Sequence, residues 1–162
     1  MIIPVLISVR GVFFASIILL GFAIFITINN SKEKSQYDKY TGTIEYFDKE
    51  FQNLPIRNKG DYRYLKIDTY TYIFEIYEPN SEPTKNKIDD LKVGNTVDIY
   101  CYETSNTRNE GINRFIQYID KQNQPYFIRN GFQKQLGYVL IGLCISINLI
   151  TLLLWKKGKL IW

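Results

Sequence analysis

The sequence predicts two transmembrane α-helices flanking a small all-β domain. Two observations lead to this fold class. Uncharged apolar runs lie near both ends of the 162-residue chain, and the stretch between them alternates short β-branched and aromatic runs with polar turns. In chain order, the predicted segments are a first transmembrane helix over residues 5–29, the β domain over 36–130, a second transmembrane helix over 136–155 and a basic tail over 156–162.

The first apolar run is Gly11–Ile28, which has no charged residue in 18 positions. As a helix it would be about 27 Å long at roughly 1.5 Å per residue, close to the ~30 Å of a hydrocarbon core. The apolar residues before it allow the helix to begin near Val5, with Arg10 reaching the membrane surface. A cleaved signal peptide is the alternative, but no small-residue cleavage site follows the run, so we expect an uncleaved anchor.

The second apolar run is Leu136–Trp155, which has 20 residues and no charge. Trp155 is followed by Lys156 and Lys157, and this order of residues marks a membrane interface. The alternative for both runs is a pair of buried helices in a soluble protein. Buried helices are usually shorter and carry polar flanks, so we expect two membrane spans.

Two spans joined by one domain cross the bilayer in opposite directions, and we expect them to pack together. Asn148 places a costly amide in the second span, and Ser16 lies at a similar depth in the first. We therefore predict a helix–helix contact between Ser16 and Asn148. Small residues four apart would allow close approach, at Gly11/Ala15 and Gly142/Ser146. The alternatives are that Asn148 bonds to its own helix or to a second subunit, which would make a homo-oligomer.

Six β-rich runs lie between the two helices, separated by polar or Gly- and Pro-containing turns. The runs are Tyr40–Phe47, Tyr62–Ile67, Tyr70–Tyr77, Asp98–Glu103, Ile112–Ile119 and Gln124–Ile128. A two-residue turn at Asp68–Thr69 would join the second and third as a hairpin. Five or six short strands without a long amphipathic helix indicate a sandwich or a small barrel. Alternation predicts core positions at Phe74, Ile76, Val97, Ile99 and Cys101.

Two short motifs carry a family resemblance. The first strand contains TGTI at residues 41–44, and LKVGNTVDIYCYE at residues 91–103 forms a turn followed by a strand. With a helix before and after, this order resembles bacterial two-pass membrane proteins that carry an oligonucleotide/oligosaccharide-binding-like (OB-like) β domain between their helices. The resemblance covers most of the chain. It implies an OB-like five- or six-stranded barrel between two anchors, and it implies no functional residue.

Charge predicts the orientation. Residues 31–135 hold 16 basic and 16 acidic side chains, so the excess of +4 belongs to Arg10, Lys156, Lys157 and Lys159. Positive flanks stay in the cytoplasm. Basic residues also flank the domain side of both helices, so we base the predicted orientation on the denser positive charge of the tail. We expect a multi-pass protein of the bacterial inner (cytoplasmic) membrane, with cytoplasmic termini and an extracytoplasmic β domain.

The residue types exclude most catalytic chemistry. The chain has no histidine and only two cysteines, Cys101 and Cys144, so His-based acid–base catalysis, thiolate zinc sites and a disulfide framework are ruled out. The carboxylates at Asp89/Asp90 and Glu75/Glu78 are neighbours on a turn and do not oppose each other across a substrate, so we interpret them as solvated charges or as helix-start residues near Ile88. We expect no catalytic residue, no metal site and no cofactor, and therefore no enzyme.

Tyrosine is the most unusual feature of the domain, since 12 of the 13 tyrosines lie in residues 37–126. Tyr62, Tyr64, Tyr100 and Tyr102 could form a stacking platform for a ligand. The alternative is that tyrosines cover both faces of a thin barrel. Nucleic acid is disfavoured because the domain has no net charge.

The predicted function is a non-enzymatic two-pass membrane protein that presents its β domain for protein–protein interaction at the bacterial envelope. Its expected partners are the lipid bilayer and a protein. The alternative is a membrane-anchored binding module for a small ligand, a sugar or a lipid, on the tyrosine-rich face.

Overall fold

A computed structural model describes residues 8–52 and 60–161. The chain divides into two compact units, Met1–Ser31 with Gly131–Trp162, and Lys32–Asn130. The predicted start of the first helix near Val5 and the last residue of the tail lie outside the described residues. The elements are α1 (Val9–Asn29), β1 (Asp38–Asp48), β2 (Tyr62–Ile67), β3 (Ile73–Tyr77), β4 (Thr96–Cys101), α2 (Ser105–Glu110), β5 (Ile112–Asn113), β6 (Ile116–Lys121), β7 (Gln124–Ile128) and α3 (Phe132–Lys156).

The first unit is a helical hairpin of α1 and α3. Ser8 caps α1, because its hydroxyl accepts a hydrogen bond from the backbone N–H of Gly11 at 3.1 Å. Both helices are long and apolar enough to span a membrane. Their buried residues recur every seven positions, and most are small: Val9, Ser16 and Ala23 on α1, and Gly137, Cys144 and Thr151 on α3.

The second unit is built on a seven-stranded mixed sheet in the order β5-β3-β2-β1-β4-β6-β7. All neighbouring strands are antiparallel except β3 and β5, which are parallel. The predicted count of five or six strands is therefore too low. The prediction of a closed barrel is also wrong, because the described ladder ends on two edges, β5 and β7.

The strand count differs because the predicted strand Ile112–Ile119 is two strands. Asn113 interrupts it, since its side-chain oxygen accepts a hydrogen bond from the backbone N–H of Phe115 at 2.8 Å. Before the interruption β5 pairs with β3, and after it β6 pairs with β4. The polar loop before β5 holds the short helix α2, which Gly111 ends at a φ of 67°.

The turn between β2 and β3 is longer than the two residues predicted, because β3 begins at Ile73. The turn packs on β1 at Gly42. The backbone N–H of Thr43 donates to the Asp68 carboxylate at 2.8 Å, and Thr69 donates to the carbonyl of Thr41 at 2.8 Å. A Cβ at Gly42 would collide with the side chains of this turn. These bonds draw the chain away from β2 and delay the start of β3.

Strand β1 joins the two halves of the sheet. Its first half pairs with β4, from Asp38 opposite Cys101 to Thr43 opposite Thr96, and its second half pairs with β2 after a register shift between Ile44 and Tyr46. The core lies on one face of this bent sheet. The predicted core positions Phe74, Ile76, Val97, Ile99 and Cys101 are all buried there, which confirms the assignment of faces.

Candidate functional site

The four tyrosines predicted as a platform lie on both sides of β1. Tyr62 and Tyr64 belong to β2, and the ring of Tyr62 packs 4.8 Å from that of Tyr77. Tyr100 is on β4 and Tyr102 immediately follows it, and the sheet order places β1 between β2 and β4. The structure therefore brings the tyrosines together as two groups, and a ligand would meet each group separately.

The first group packs part of the β1–β2 connection against the sheet. Phe51 lies 5.7 Å from the ring of Tyr46 and 5.9 Å from that of Tyr64. Tyr64 is buried, and its hydroxyl donates to Glu75 at 3.5 Å. Glu75 also forms an ion pair with Arg114 at 3.1 Å. Tyr64 therefore has a structural role on this outer face of the sheet.

The second group surrounds the end of β7. The ring of Tyr37 lies 6.4 Å from Tyr102 and 6.1 Å from Tyr118, and Tyr100 lies 6.2 Å from Tyr118. Lys34 adds a cation, with its ammonium 4.6 Å above the Tyr100 ring and 5.3 Å above that of Tyr118. Lys34 also forms an ion pair with the buried carboxylate of Asp120.

Arg129 completes this second group, and we call Tyr37, Tyr102, Tyr118 and Arg129 the arginine–tyrosine site. The backbone N–H of Arg129 donates to Gln117 at 2.8 Å, and one terminal nitrogen, Nη1, donates to the carbonyl oxygens of Arg114 at 2.9 Å and Ile116 at 3.2 Å. Burial lowers the pKa of Arg129, although Tyr102 and Tyr37 favour its charge. Within 8–52 and 60–161 its Nε is buried and has no hydrogen-bond partner.

The electrostatics of the site follow from its burial. Burial and the neighbouring tyrosines Tyr118 and Tyr102 raise the pKa of Tyr37 to about 12, while Arg129 opposes the rise. The Tyr37 phenol therefore stays protonated at neutral pH and can donate a hydrogen bond. An arginine beside a protonated phenol is suited to bind an anion.

A fully buried arginine lies at a different place in the domain. Arg63 forms ion pairs with Glu78 at 2.8 Å and Asp89 at 2.7 Å, and its remaining donors reach the carbonyls of Gly60 and Tyr62 at 2.9 and 3.0 Å. Burial is the main cause that raises the pKa of Glu78, with Arg63 acting against it. Glu78, which the sequence suggested was a solvated charge, is therefore partly buried against Arg63, whereas Asp89 holds Arg63 from an exposed position.

The Arg63 ion pairs support the wall of a cleft. The cleft has a volume of about 250 Å³ and is lined by residues of the β3–β4 connection and of β7, including Glu78, Glu82, Asn86, Lys87 and Tyr126. Two hydrogen bonds hold its two sides together, from Glu82 N–H to Ile128 at 2.8 Å and from the Asn86 amide to Pro125 at 3.3 Å. The cleft is thus a shaped, polar surface on a braced connection.

A buried polar network lies beneath α2. Glu103 accepts hydrogen bonds from Tyr70 at 3.0 Å and Tyr40 at 3.4 Å, and the Asn113 amide donates to Tyr70 at 2.9 Å. Burial is the main cause that raises the pKa of Tyr70; the hydrogen bond from Asn113 opposes the rise, and the bond to Glu103 adds to it. Burial likewise raises the pKa of the Cys101 thiol to about 12, so Cys101 is an inert core residue, as its strand position indicated.

No group of His, Cys, Asp and Glu side chains in the described ranges could hold a metal ion. The sequence reasoning missed the arginine–tyrosine site because it counted Arg129 only as a flanking charge. A usable signal was present. Arg129 is two residues after the core residue Phe127. Alternation along a strand therefore predicts that the Arg129 cation lies on the same face as Phe127.

The helix pair forms its own polar contact. The Asn148 amide donates to the Ser16 hydroxyl at 2.6 Å and to the carbonyl of Cys144 at 2.8 Å, so it reaches across the hairpin and back to its own helix. The side-chain oxygen of Asn148 has no hydrogen-bond partner in the described part of the chain. The small residues expected to permit close approach, Gly11/Ala15 and Gly142/Ser146, are exposed, and the seven-residue row at Ser16, Ala23, Gly137 and Cys144 replaces them.

No protein-family model, no curated protein sequence and no solved structure matches this chain.

Proposed function

We propose that this chain is a two-pass protein of the bacterial inner membrane that presents its β domain to a protein partner without catalysing a reaction. One observation carries the proposal. The two apolar helices pack on each other through small residues and turn their large apolar side chains outward, among them Phe14, Phe22, Leu143, Ile150 and Leu153. A surface of this kind is stable in lipid and costly in water.

The domain between the helices is proposed to be OB-like. Three features support this assignment: β1 pairs with both β2 and β4, β5 runs parallel to β3, and only two residues separate β5 from β6. Strand β5 together with β6 therefore reaches both β3 and β4, in a ring that is partly open. OB-folds are five-stranded, partly open barrels of this type.

The proposed orientation places both termini in the cytoplasm and the domain outside. The net charge of +4 outside residues 31–135 supports it, since Arg10 and the lysines of the tail lie on the same side.

The cleft beside Arg63 is the surface we propose for the protein partner. It is shallow and polar, it includes the aromatic side chain of Tyr126, and its walls are held by ion pairs and backbone bonds. Tyrosine is enriched at protein interfaces, and a rigid surface loses little entropy on binding.

Site-specific photocrosslinking in native membranes tests this proposal. A photoreactive amino acid in place of exposed Lys87, at the cleft, should give one discrete protein adduct, whereas the same group in place of exposed Asn106, on α2, should not. Tyr126→Ala should weaken the Lys87 adduct, because it removes an aromatic wall of the cleft. No adduct at Lys87, or an equal adduct at Asn106, would contradict a protein interface at the cleft.

A second candidate function is favoured by the arginine–tyrosine site. The domain would then bind a small anionic ligand through Arg129 and the neighbouring phenols, as the alternative of a ligand on the tyrosine-rich face suggests. The second tyrosine group, with Tyr100 and Tyr102, supports this candidate better than the packed group around Tyr64.

A further inference from the structure

Arg129 is a partly buried cation with unused hydrogen-bonding capacity. Only its Nη1 has hydrogen-bond partners in the two described ranges, and both are backbone carbonyls. Its Nε is buried and unpaired there, although nearly all buried polar groups in folded proteins have a partner. The edge formed by Nε and Nη2 is the edge with which arginine binds carboxylates and phosphates in a bidentate manner.

The contrast with Arg63 shows what Arg129 is missing. Arg63 is buried, and the carboxylates of Glu78 and Asp89 compensate its charge. Across residues 8–52 and 60–161, no carboxylate forms an ion pair with Arg129. A charge partly withdrawn from water without a counter-charge is unfavourable, so an anion from outside the domain would stabilise the site.

Phenol groups belong to the same site as Arg129. Tyr102 and Tyr37 act on the charge of Arg129, and the Tyr37 ring lies 6.4 Å from that of Tyr102 and 6.1 Å from that of Tyr118. The Lys34 ammonium lies 5.3 Å from the ring of Tyr118. Within the described residues, the two lysines of this group are already paired with carboxylates, Lys34 with Asp120 and Lys39 with Asp98. Arg129 is the cation of the group that no carboxylate compensates there.

Chain connectivity restricts where this site can lie. Arg129 is three residues before Phe132, where α3 begins, and Lys34 is five residues after Asn29, where α1 ends. Three residues of chain span at most about 11 Å. If α1 and α3 cross a bilayer, Arg129 is within reach of the headgroup layer next to the hydrocarbon core.

We propose that Arg129 binds the phosphate group of an anionic phospholipid through the Nε–Nη2 edge of its guanidinium. This inference rests on the proposed membrane anchoring, and it assigns the lipid class to the second candidate function. The interaction is non-covalent and leaves the phosphate unchanged.

The test uses the full chain in lipid nanodiscs. The thermal unfolding midpoint is measured in phosphatidylcholine alone and in phosphatidylcholine mixed with phosphatidylglycerol, and inorganic phosphate is added to the first preparation as a separate arm. We expect phosphatidylglycerol to raise the midpoint and inorganic phosphate to leave it unchanged. In detergent titrations, phosphatidylglycerol should bind roughly tenfold more tightly to the native chain than to Arg129→Gln.

Two further variants make the test specific. Lys134→Gln removes another cation near the start of α3 and should keep most of the response. Arg129→Lys keeps the charge and loses the bidentate edge, so its affinity should fall between those of the native chain and Arg129→Gln. If Arg129→Gln does not fold, the phosphatidylglycerol affinities of the native chain and Arg129→Lys still test the proposal.

Three results would overturn the proposal: equal midpoints of the native chain in the two lipid mixtures, an unchanged phosphatidylglycerol affinity in the Arg129 variants, or a full response to inorganic phosphate, which would assign the site to free phosphate. A chain that fails to enter nanodiscs would instead refute the membrane anchoring itself.

Discussion

The helical hairpin and the β domain bury opposite kinds of side chain. In the hairpin, the buried row consists mainly of small residues such as Ala23, Gly137 and Cys144, and the large apolar residues are exposed. In the domain, large apolar residues such as Leu65 and Phe74 are buried. The same chain thus follows two packing rules, and the difference indicates that its two units are adapted to different solvents.

The physical basis of the contrast is the hydrophobic effect. In water, burial of a large apolar side chain stabilises a fold by about 1.5–3 kcal/mol. In lipid, that driving force between helices is absent, so close backbone approach and polar contacts hold helices together. Gly137 shows the close approach, since a Cβ there would lie 3.2 Å from the carbonyl oxygen of Ala23 and would collide with Thr27.

The largest effect is expected in the domain core. Ile99→Ala should destabilise the isolated domain, residues 32–130, by roughly 2–5 kcal/mol, because Ile99 is fully buried among the strands. Urea unfolding followed by circular dichroism measures the change. Val93→Ala is the control, since Val93 is exposed and should cost less than about 0.5 kcal/mol. Equal effects of the two changes would mean that the domain is not built on this core.

A smaller effect is expected at the hairpin seam. Gly137→Leu should separate α1 from α3, at a cost of about 1–3 kcal/mol, because the new side chain meets Thr27 and the Ala23 carbonyl. The buried thiol of Cys144 reports the separation, and its reaction with a membrane-permeant maleimide should accelerate about tenfold. Gly142→Leu is the matched control, because nothing lies within 4 Å of a Cβ at Gly142. An accelerated reaction in the control alone would place the seam on the other face of α3.

The cross-helix bond is expected to contribute less. A double-mutant cycle of Ser16→Ala and Asn148→Ala should give a coupling of roughly 0.6–2 kcal/mol, since the amide and the hydroxyl are 2.6 Å apart. The labelling rate of Cys144 again serves as the readout. Additive effects of the two changes would show that Asn148 is satisfied by the Cys144 carbonyl alone.

The smallest effect is expected at Asp98, on the face of the sheet opposite the core. Burial would raise the pKa of Asp98, but hydrogen bonds from Thr41 at 2.6 Å and Lys39 at 3.0 Å outweigh it and lower that pKa. The charged carboxylate therefore stabilises the domain above its unfolded pKa of about 3.9, and this contribution is lost as the pH falls through the lower folded value. The stability difference between the native domain and Asp98→Asn, at most about 1 kcal/mol, should vanish in acid. A difference that does not change between neutral and acidic pH would refute the assignment.

Local patterns predicted the helices and the strand faces, since both depend on residues close in sequence. The apolar runs lie within α1 and α3, and alternation placed Ile99 in the core. Features that depend on distant contacts were not predicted. The turn after β2 is lengthened by bonds from Asp68 and Thr69 to β1, and β5 is separated from β6 by the side chain of Asn113.

The site was predicted in part for the same reason. Tyr100 and Tyr102 were singled out as surface aromatics, but their neighbours Tyr37 and Arg129 come from the two ends of the domain. Only the fold brings these ends together. Gly11 and Ala15 had the right size and spacing for helix packing, yet α1 turns its other face, with Ser16, toward α3.

Membrane spanning by the hairpin is tested most directly by thiol accessibility in intact spheroplasts. The native thiols Cys101 and Cys144 are buried and give little background. A membrane-impermeant maleimide should label Asn106→Cys, on exposed α2 of the domain, and should label Ile161→Cys in the tail only after permeabilisation. Labelling at Ile161 and protection at Asn106 would reverse the orientation. Equal labelling of both positions without permeabilisation would contradict two membrane crossings.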